Sequence, residues 1–133
     1  MSNSVNRYKE DLGRIHLTII LTSDLITSLT HDVVGEVEKL GLKAMIRADG
    51  YAFMKSSVVG ELGLPHLRYA IIEDRAMVWV RAPYKLSEEL LALAGFNVKE
   101  YCEEIIRAAR EIAKIFKKYE DKAVGLNIEL PEL

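Results

Sequence analysis

The stretch that decides the fold is LKAMIRADGYAFMK, residues 42–55. In it, two runs of alternating apolar and polar residues flank the dipeptide Asp49-Gly50. This dipeptide is the strongest short signal for a β-hairpin, because a type I′ turn needs positive φ at both central residues. Pairing across the turn places Ile46 opposite Phe53 and Ala48 opposite Tyr51. The other side of the hairpin then carries Lys43, Met45, Arg47, Asp49, Ala52 and Met54.

Residues 68–73 and 76–81 predict a second hairpin, with Asp74-Arg75 as its turn. In the simplest register, Tyr69 meets Val80 on the core side. The opposite side then places Arg68 directly across from Arg81. Like charges facing each other across two strands repel, so an anion, a partner's carboxylate or solvent is expected between them.

The flanking segments predict one more strand and several helices. Residues 15–21 are short and rich in β-branched side chains, which favours a strand with His16 on its non-core side. Residues 24–40 have apolar side chains at helical spacing, after Ser23 as the N-cap and before Gly41 as the stop. Further expectations are a loop or one helical turn over 56–66, a helix from Ser87 to Gly95, a helix from Asn97 to Tyr119, and an edge strand within 123–130.

This order of elements predicts an α+β fold, in which an antiparallel β-meander has helices packed on one face. A ferredoxin-like split βαβ arrangement is the alternative if residues 51–55 do not form a true strand. Residues 1–13 are polar and charged and are expected to form a flexible N-terminal arm. Residues 14–133 are then a single α+β domain, because no linker or repeat interrupts them.

The composition bounds the class of protein. The chain has 133 residues, of which 50% are hydrophobic, and its formal net charge is −2. This charge disfavours a polybasic binder of nucleic acid, and no apolar run is long enough to cross a membrane. Cys102 is the only cysteine, which fits a reducing compartment such as the cytoplasm. Glutamine is absent whereas Lys and Glu are abundant, a bias typical of a thermophile.

The sequence lacks the common catalytic and cofactor motifs. Phosphate-binding glycine loops, paired zinc ligands and the G-x-S-x-G elbow do not occur. His16, His31 and His66 are scattered, and nothing in their spacing forces a metal site. We therefore predict neither a metal nor a cofactor, and we assign no catalytic residue.

The non-core side of the predicted sheet carries the candidate binding residues. They combine cations with the sole tryptophan, a platform that suits an anion or the stacking of an aromatic ligand. Several methionines share this side, which makes it apolar enough to suit a contact between two copies of the chain. The candidate ligand-binding residues are His16, Arg47, Arg68, Trp79 and Arg81.

Two hypotheses of function follow from this side of the sheet. The first is a non-catalytic binding or assembly module that forms a homo-oligomer, most simply a dimer. The second is a small enzyme or sensor domain that binds an anionic small molecule through Arg47, Arg68 and Arg81. In the enzyme version, His16 or His31 would serve as acid or base. Nucleic-acid binding by the same face is a further alternative, which the net charge disfavours.

Overall fold

The computed structural model describes residues 2–132, with side chains from residue 5 onward. These residues form five α-helices and six strands. The helices are α1 (Ser2–Gly13), α2 (Ser23–Lys39), α3 (Ser57–Glu61), α4 (Glu88–Leu93) and α5 (Val98–Lys118). The strands are β1 (His16–Ile20), β2 (Lys43–Arg47), β3 (Gly50–Met54), β4 (His66–Ile72), β5 (Arg75–Arg81) and β6 (Gly125–Glu129).

The six strands form one antiparallel sheet in the order β2-β3-β4-β5-β1-β6. The α+β fold with a β-meander is therefore confirmed. Residues 51–55 contribute to β3, which pairs with both β2 and β4, so the ferredoxin-like alternative is wrong. The predicted edge strand within 123–130 is present as β6.

The core lies between the sheet and the two longest helices. Leu29 and Val33 of α2 and Ile106 and Ile112 of α5 are buried in one cluster with Leu17, Val78 and other strand residues. Thr30 of α2 also reaches the sheet directly, because its hydroxyl lies 2.8 Å from the Tyr69 hydroxyl. We call the side of the sheet that carries Tyr69 the core face.

The helices do not all share the core face. A Cβ atom added to Gly60 of α3 would lie 3.5 Å from the sulfur of Met54, and Met54 points to the opposite side. The prediction that the helices pack on one face is therefore not confirmed. What the sequence predicted correctly is the side to which each strand residue points.

Both hairpins form, but their turns and registers differ from the prediction. In the first, Ile46 lies opposite Tyr51, and the turn residues are Ala48 and Asp49. Gly50 already belongs to the strand, where an added Cβ would lie 2.0 Å from the Tyr69 carbonyl oxygen. This close approach explains why glycine is needed at position 50, which is paired within the strand and is not part of the turn.

In the second hairpin, the turn residues are Glu73 and Asp74, and Glu73 has a left-handed backbone with φ 58°. Arg68 consequently lies opposite Trp79, and Arg81 lies opposite His66. The predicted opposition of Arg68 and Arg81 is wrong. The reason is that the turn lies at Glu73-Asp74, one residue before the predicted Asp74-Arg75, which shifts every cross-strand pair by two residues.

The ends of the helices also differ in part from the prediction. Residues 2–13 form α1 in place of the expected flexible arm, and Leu12 of α1 is fully buried in the core. Ser23 is the first residue of α2, so Thr22 takes the N-cap position predicted for Ser23. The caps predicted for the last two helices are confirmed. The Ser87 hydroxyl accepts a hydrogen bond from the Leu90 amide, and the Asn97 side chain accepts one from the Glu100 amide.

Candidate anion-binding site

The side of the sheet opposite the core face carries every predicted ligand-binding residue. We call it the mixed face, because cations, methionines and small residues alternate on it. Paired residues of an antiparallel sheet point to the same side, so the register defines its members. They are Gly125, Asn127 and Glu129 of β6, His16, Thr18 and Ile20 of β1, Lys43, Met45 and Arg47 of β2, Gly50, Ala52 and Met54 of β3, His66, Arg68, Ala70 and Ile72 of β4, and Arg75, Met77, Trp79 and Arg81 of β5.

His16, Trp79 and Arg68 are direct neighbours across three adjacent strands of the mixed face. The Arg68 side chain is 7% exposed and forms an ion pair with the carboxylate of Asp49. Its Nε also donates a hydrogen bond to the Tyr51 carbonyl oxygen at 3.3 Å. The charge of Arg68 is thus compensated within the protein, which favours a positioning role over direct contact with a ligand.

Arg47 and Arg81 line a concavity of about 560 Å³ that adjoins this row on the mixed face. We call it the basic concavity. Its wall is built from β2, the end of β3, α3, the segment before β4 with the first residue of β4, and the end of β5 with the turn that follows it. The lining residues are Met45, Arg47, Met54, Ser57, Gly60, Glu61, Gly63, Leu64, His66, Arg81, Ala82 and Lys85.

The charges of the basic concavity are unbalanced. Arg47, Arg81 and Lys85 contribute three cations, whereas Glu61 contributes one carboxylate. In the part of the chain with described side chains, the ion pairs are Lys55–Glu104, Arg68–Asp49 and Lys114–Glu111. The three cations of the concavity therefore have no carboxylate partner among residues 5–132. Among these residues, the Arg47 Nη1 donates only to the carbonyl oxygen of neighbouring Ile46, at 2.9 Å. Cations that line one hollow without carboxylate partners create a local positive potential that attracts anions.

Two left-handed backbone positions shape the rim of the concavity. Ala82 has φ 56° and Gly63 has φ 70°. A non-glycine residue with such a φ is uncommon and marks a turn that its surroundings enforce. Ala82 lies between the end of β5 and the helical turn Pro83–Lys85, of which it is the N-cap. This turn brings the Lys85 Cδ within 3.8 Å of where a Cβ on Gly63 would lie. The turn thus carries the lysine to the concavity.

His66 is the one histidine among the residues that line the basic concavity. Its Nδ1 lies 3.0 Å from the Leu64 carbonyl oxygen, so in the neutral ring this nitrogen carries the proton and donates. Burial lowers the pKa of His66, the bond to Leu64 raises it, and the charges of Arg68, Arg81 and Arg47 lower it further. With its pKa below the ordinary value of 6.5, the ring is neutral at pH 7.

His31 lies away from the mixed face, on α2. It lines a second concavity of about 450 Å³ on the helix side of the sheet, together with Thr27, Tyr51 and Glu73. The Thr27 hydroxyl donates to the Ser23 carbonyl oxygen at 3.2 Å, a bond within the helix itself. Among the described residues, no three His, Cys, Asp or Glu side chains are grouped so that they could hold a metal ion.

The structure separates the five predicted binding residues into two groups. Arg47 and Arg81 line the basic concavity, whereas His16, Arg68 and Trp79 form the adjoining row. Sequence reasoning missed Lys85 and His66 as parts of this site. The alternation along β4 could have placed His66 beside Arg68, but no local pattern marks Lys85, which arrives through the turn at Ala82.

Cys102 is buried, and burial raises the pKa of its thiol to about 12, which leaves it protonated and unreactive at pH 7. None of the helices in residues 2–132 is both long and apolar enough to cross a membrane. Comparison of the chain with protein-family models, with curated proteins and with solved structures yields no significant match.

Proposed function

We propose that the protein is a non-catalytic binding module that holds an anionic small molecule in the basic concavity. The observation that carries this proposal is that Arg47, Arg81 and Lys85 line one concavity and have no carboxylate partner among residues 5–132, in a chain of net charge −2. Guanidinium groups bind carboxylates and phosphates through paired hydrogen bonds, and an ammonium group adds a point charge. A phosphate or carboxylate group matches this set.

A binding role is favoured over the enzyme hypothesis by the positions of the histidines. His16 and His31, the acid-base candidates from the sequence, do not line the basic concavity. His66 does line it, but its Nδ1 proton is held by the Leu64 carbonyl oxygen, so the neutral ring has only Nε2 free, as a proton acceptor and not as a donor. The cations supply charge and orientation, and a positioned proton donor or acceptor is what catalysis would require in addition. A cytoplasmic location, inferred from the single cysteine, is part of the proposal.

Titration calorimetry with inorganic phosphate at low ionic strength tests the proposal. Arg47→Gln and Arg81→Gln remove one cation each from the concavity. Arg75→Gln is the matched control, because Arg75 is an exposed arginine at the other end of the strand that carries Arg81. We expect at least about 10-fold weaker binding for each concavity variant, since a hydrogen bond to a charged group contributes about 1.5–3 kcal/mol. The control should change the affinity less than about twofold, as expected for a surface charge outside the site. Equal affinity for all variants, or no saturable binding, would refute the site.

Self-association is a second candidate function, favoured by the apolar part of the mixed face. Ile20, Met77 and Trp79 are half-buried there, and Ile72 is 51% exposed. A second copy of the chain that packs on this part of the sheet would cover all four side chains. Light scattering on a sizing column tests this: the proposal predicts twice 15.0 kDa, and Met77→Glu should return the mass to 15.0 kDa. A mass of 15.0 kDa at all protein concentrations would reject it.

A further inference from the structure

Trp79 lies directly beside the basic concavity. Trp79 and Arg81 are alternate residues of β5, so both point to the mixed face and their Cα atoms are about 7 Å apart. Trp79 is the only tryptophan of the chain and is half-buried, so part of its ring is accessible. A ligand can therefore place its anionic group against Arg81 and a second group against the indole if one small spacer joins the two groups.

The Trp79 ring is held in position from one side. The central carbon of the Arg68 guanidinium lies 5.9 Å from the ring centroid, a cation–π distance. Arg68 is itself fixed by the Asp49 carboxylate and by the Tyr51 carbonyl oxygen. A ring that is fixed before binding loses little conformational freedom when a ligand stacks on it. On the other side, exposed His16 of β1 lies opposite Trp79 and beside Glu129 of β6.

We infer that the ligand of the basic concavity is a nucleoside monophosphate or a similar aromatic phosphate, and that its planar group stacks on Trp79. This inference rests on the proposed function, because it assigns the phosphate to Arg47, Arg81 and Lys85. A ribose-sized spacer spans the step from Arg81 to Trp79. Stacking of a base on an aromatic side chain tolerates many bases, so the geometry defines the class of ligand and not one base.

The experiment compares adenosine 5′-monophosphate with ribose 5-phosphate, which has the same phosphate and sugar but no aromatic ring. Calorimetry gives both affinities, and Trp79 fluorescence reports stacking from a single site. We expect the nucleotide to bind at least about 5-fold more tightly, as base stacking on a side chain implies. We also expect only the nucleotide to quench the fluorescence.

Two variants locate the effect. Trp79→Leu should remove the preference for the nucleotide and leave the affinity for ribose 5-phosphate unchanged within about twofold, because only the stacking contact is lost. Trp79→Phe, which keeps an aromatic ring, should retain a preference. Thermal unfolding of both variants checks that they fold.

The outcomes separate this inference from the proposed function. Equal binding of the two phosphates to the wild-type protein, or a preference that survives Trp79→Leu, would overturn the inference and leave the phosphate site intact. Binding of neither phosphate would refute the site and the inference together. Much tighter binding of a single-stranded oligonucleotide than of the mononucleotide would also overturn the inference, in favour of a nucleic-acid partner.

Discussion

Arg68 lies directly across from Trp79 on the neighbouring strand, with its guanidinium carbon 5.9 Å from the centre of the indole ring. A nearly buried arginine on a sheet face needs compensation for its lost hydration, and the Asp49 carboxylate provides it. Asp49 in the turn of the first hairpin thereby holds Arg68 of β4 in place, and Arg68 in turn contacts the ring of Trp79 of β5. The geometry of the mixed face depends on this chain of contacts.

Asp49→Asn should therefore destabilise the protein. The substitution keeps the shape of the side chain and removes the charge that compensates buried Arg68. Loss of one partner of a fully buried pair costs about 3–5 kcal/mol, but Asp49 is half-exposed and water relieves part of this cost. We expect a decrease of about 1–3 kcal/mol in the free energy of unfolding, measured with urea.

Glu111→Gln is the control for that variant. Glu111 pairs with exposed Lys114 one helical turn away, and such surface pairs contribute about 0–1 kcal/mol. Equal losses for Asp49→Asn and Glu111→Gln would contradict the compensating role of Asp49.

Gly50→Ala should prevent normal folding or destabilise the sheet by more than about 3 kcal/mol. A Cβ at this position would lie 2.0 Å from the Tyr69 carbonyl oxygen, so β3 and β4 would have to separate. Gly35→Ala is the matched control, because nothing lies within 4 Å of its Cβ position in the middle of α2. It should stabilise the protein by about 0.5–1 kcal/mol through helix propensity. A Gly50→Ala protein as stable as the wild type would show that the register of β3 is incorrect.

Thr30→Val should cost about 1–2 kcal/mol, because it leaves the hydroxyl of fully buried Tyr69 without its partner at 2.8 Å. Burial raises the pKa of Tyr69 to about 12, so the phenol stays neutral and needs a hydrogen bond. Thr27→Val, one turn earlier on the same helix, removes a hydroxyl that bonds only within the helix. Urea unfolding should show a clearly smaller loss for Thr27→Val, and the reverse order would reject this contact.

His66 should make the stability depend on pH. Its pKa is lower in the folded protein than the ordinary value of 6.5, mainly because the ring is buried. Below pH 6.5 the unfolded chain therefore binds more protons than the folded one, and stability falls as the pH decreases through the folded-state pKa. His66→Gln removes this titration. The difference in free energy of unfolding, wild type minus variant, should decrease as the pH is lowered from 7.5 to 5. Parallel curves of stability against pH for the two proteins would contradict the assignment.

The sequence predicted to which face each strand residue points, but it did not predict the residue's partner on the neighbouring strand. Both hairpin registers differ from the prediction by two residues, and a shift of two keeps every side chain on its original side. His16 and Arg81 were thus placed on the correct face, whereas Arg68 was placed opposite the wrong residue. The deciding contacts are long-range ones, such as the approach of Gly50 to the Tyr69 carbonyl oxygen, which no local pattern contains.

Two other features were missed for different physical reasons. The apolar stripe of α1 consists of Val5, Tyr8 and Leu12, three residues within an otherwise polar segment. The segment is stable as a helix because this stripe packs on the core. The basic concavity depends on Gly63 and Lys85, which lie outside the strands. Their positions follow from left-handed backbone at the rim, and sequence periodicity does not predict such positions.

The most direct test of the central claim is a titration of the isotope-labelled protein with inorganic phosphate, followed by proton–nitrogen correlation spectra. We predict saturable shifts of the amides of Arg47, Gly63, Arg81 and Lys85, which surround the basic concavity. The amides near His31 on the opposite side of the sheet should not move. Shifts confined to the region of His31, or no saturable shifts at all, would contradict an anion site in the basic concavity.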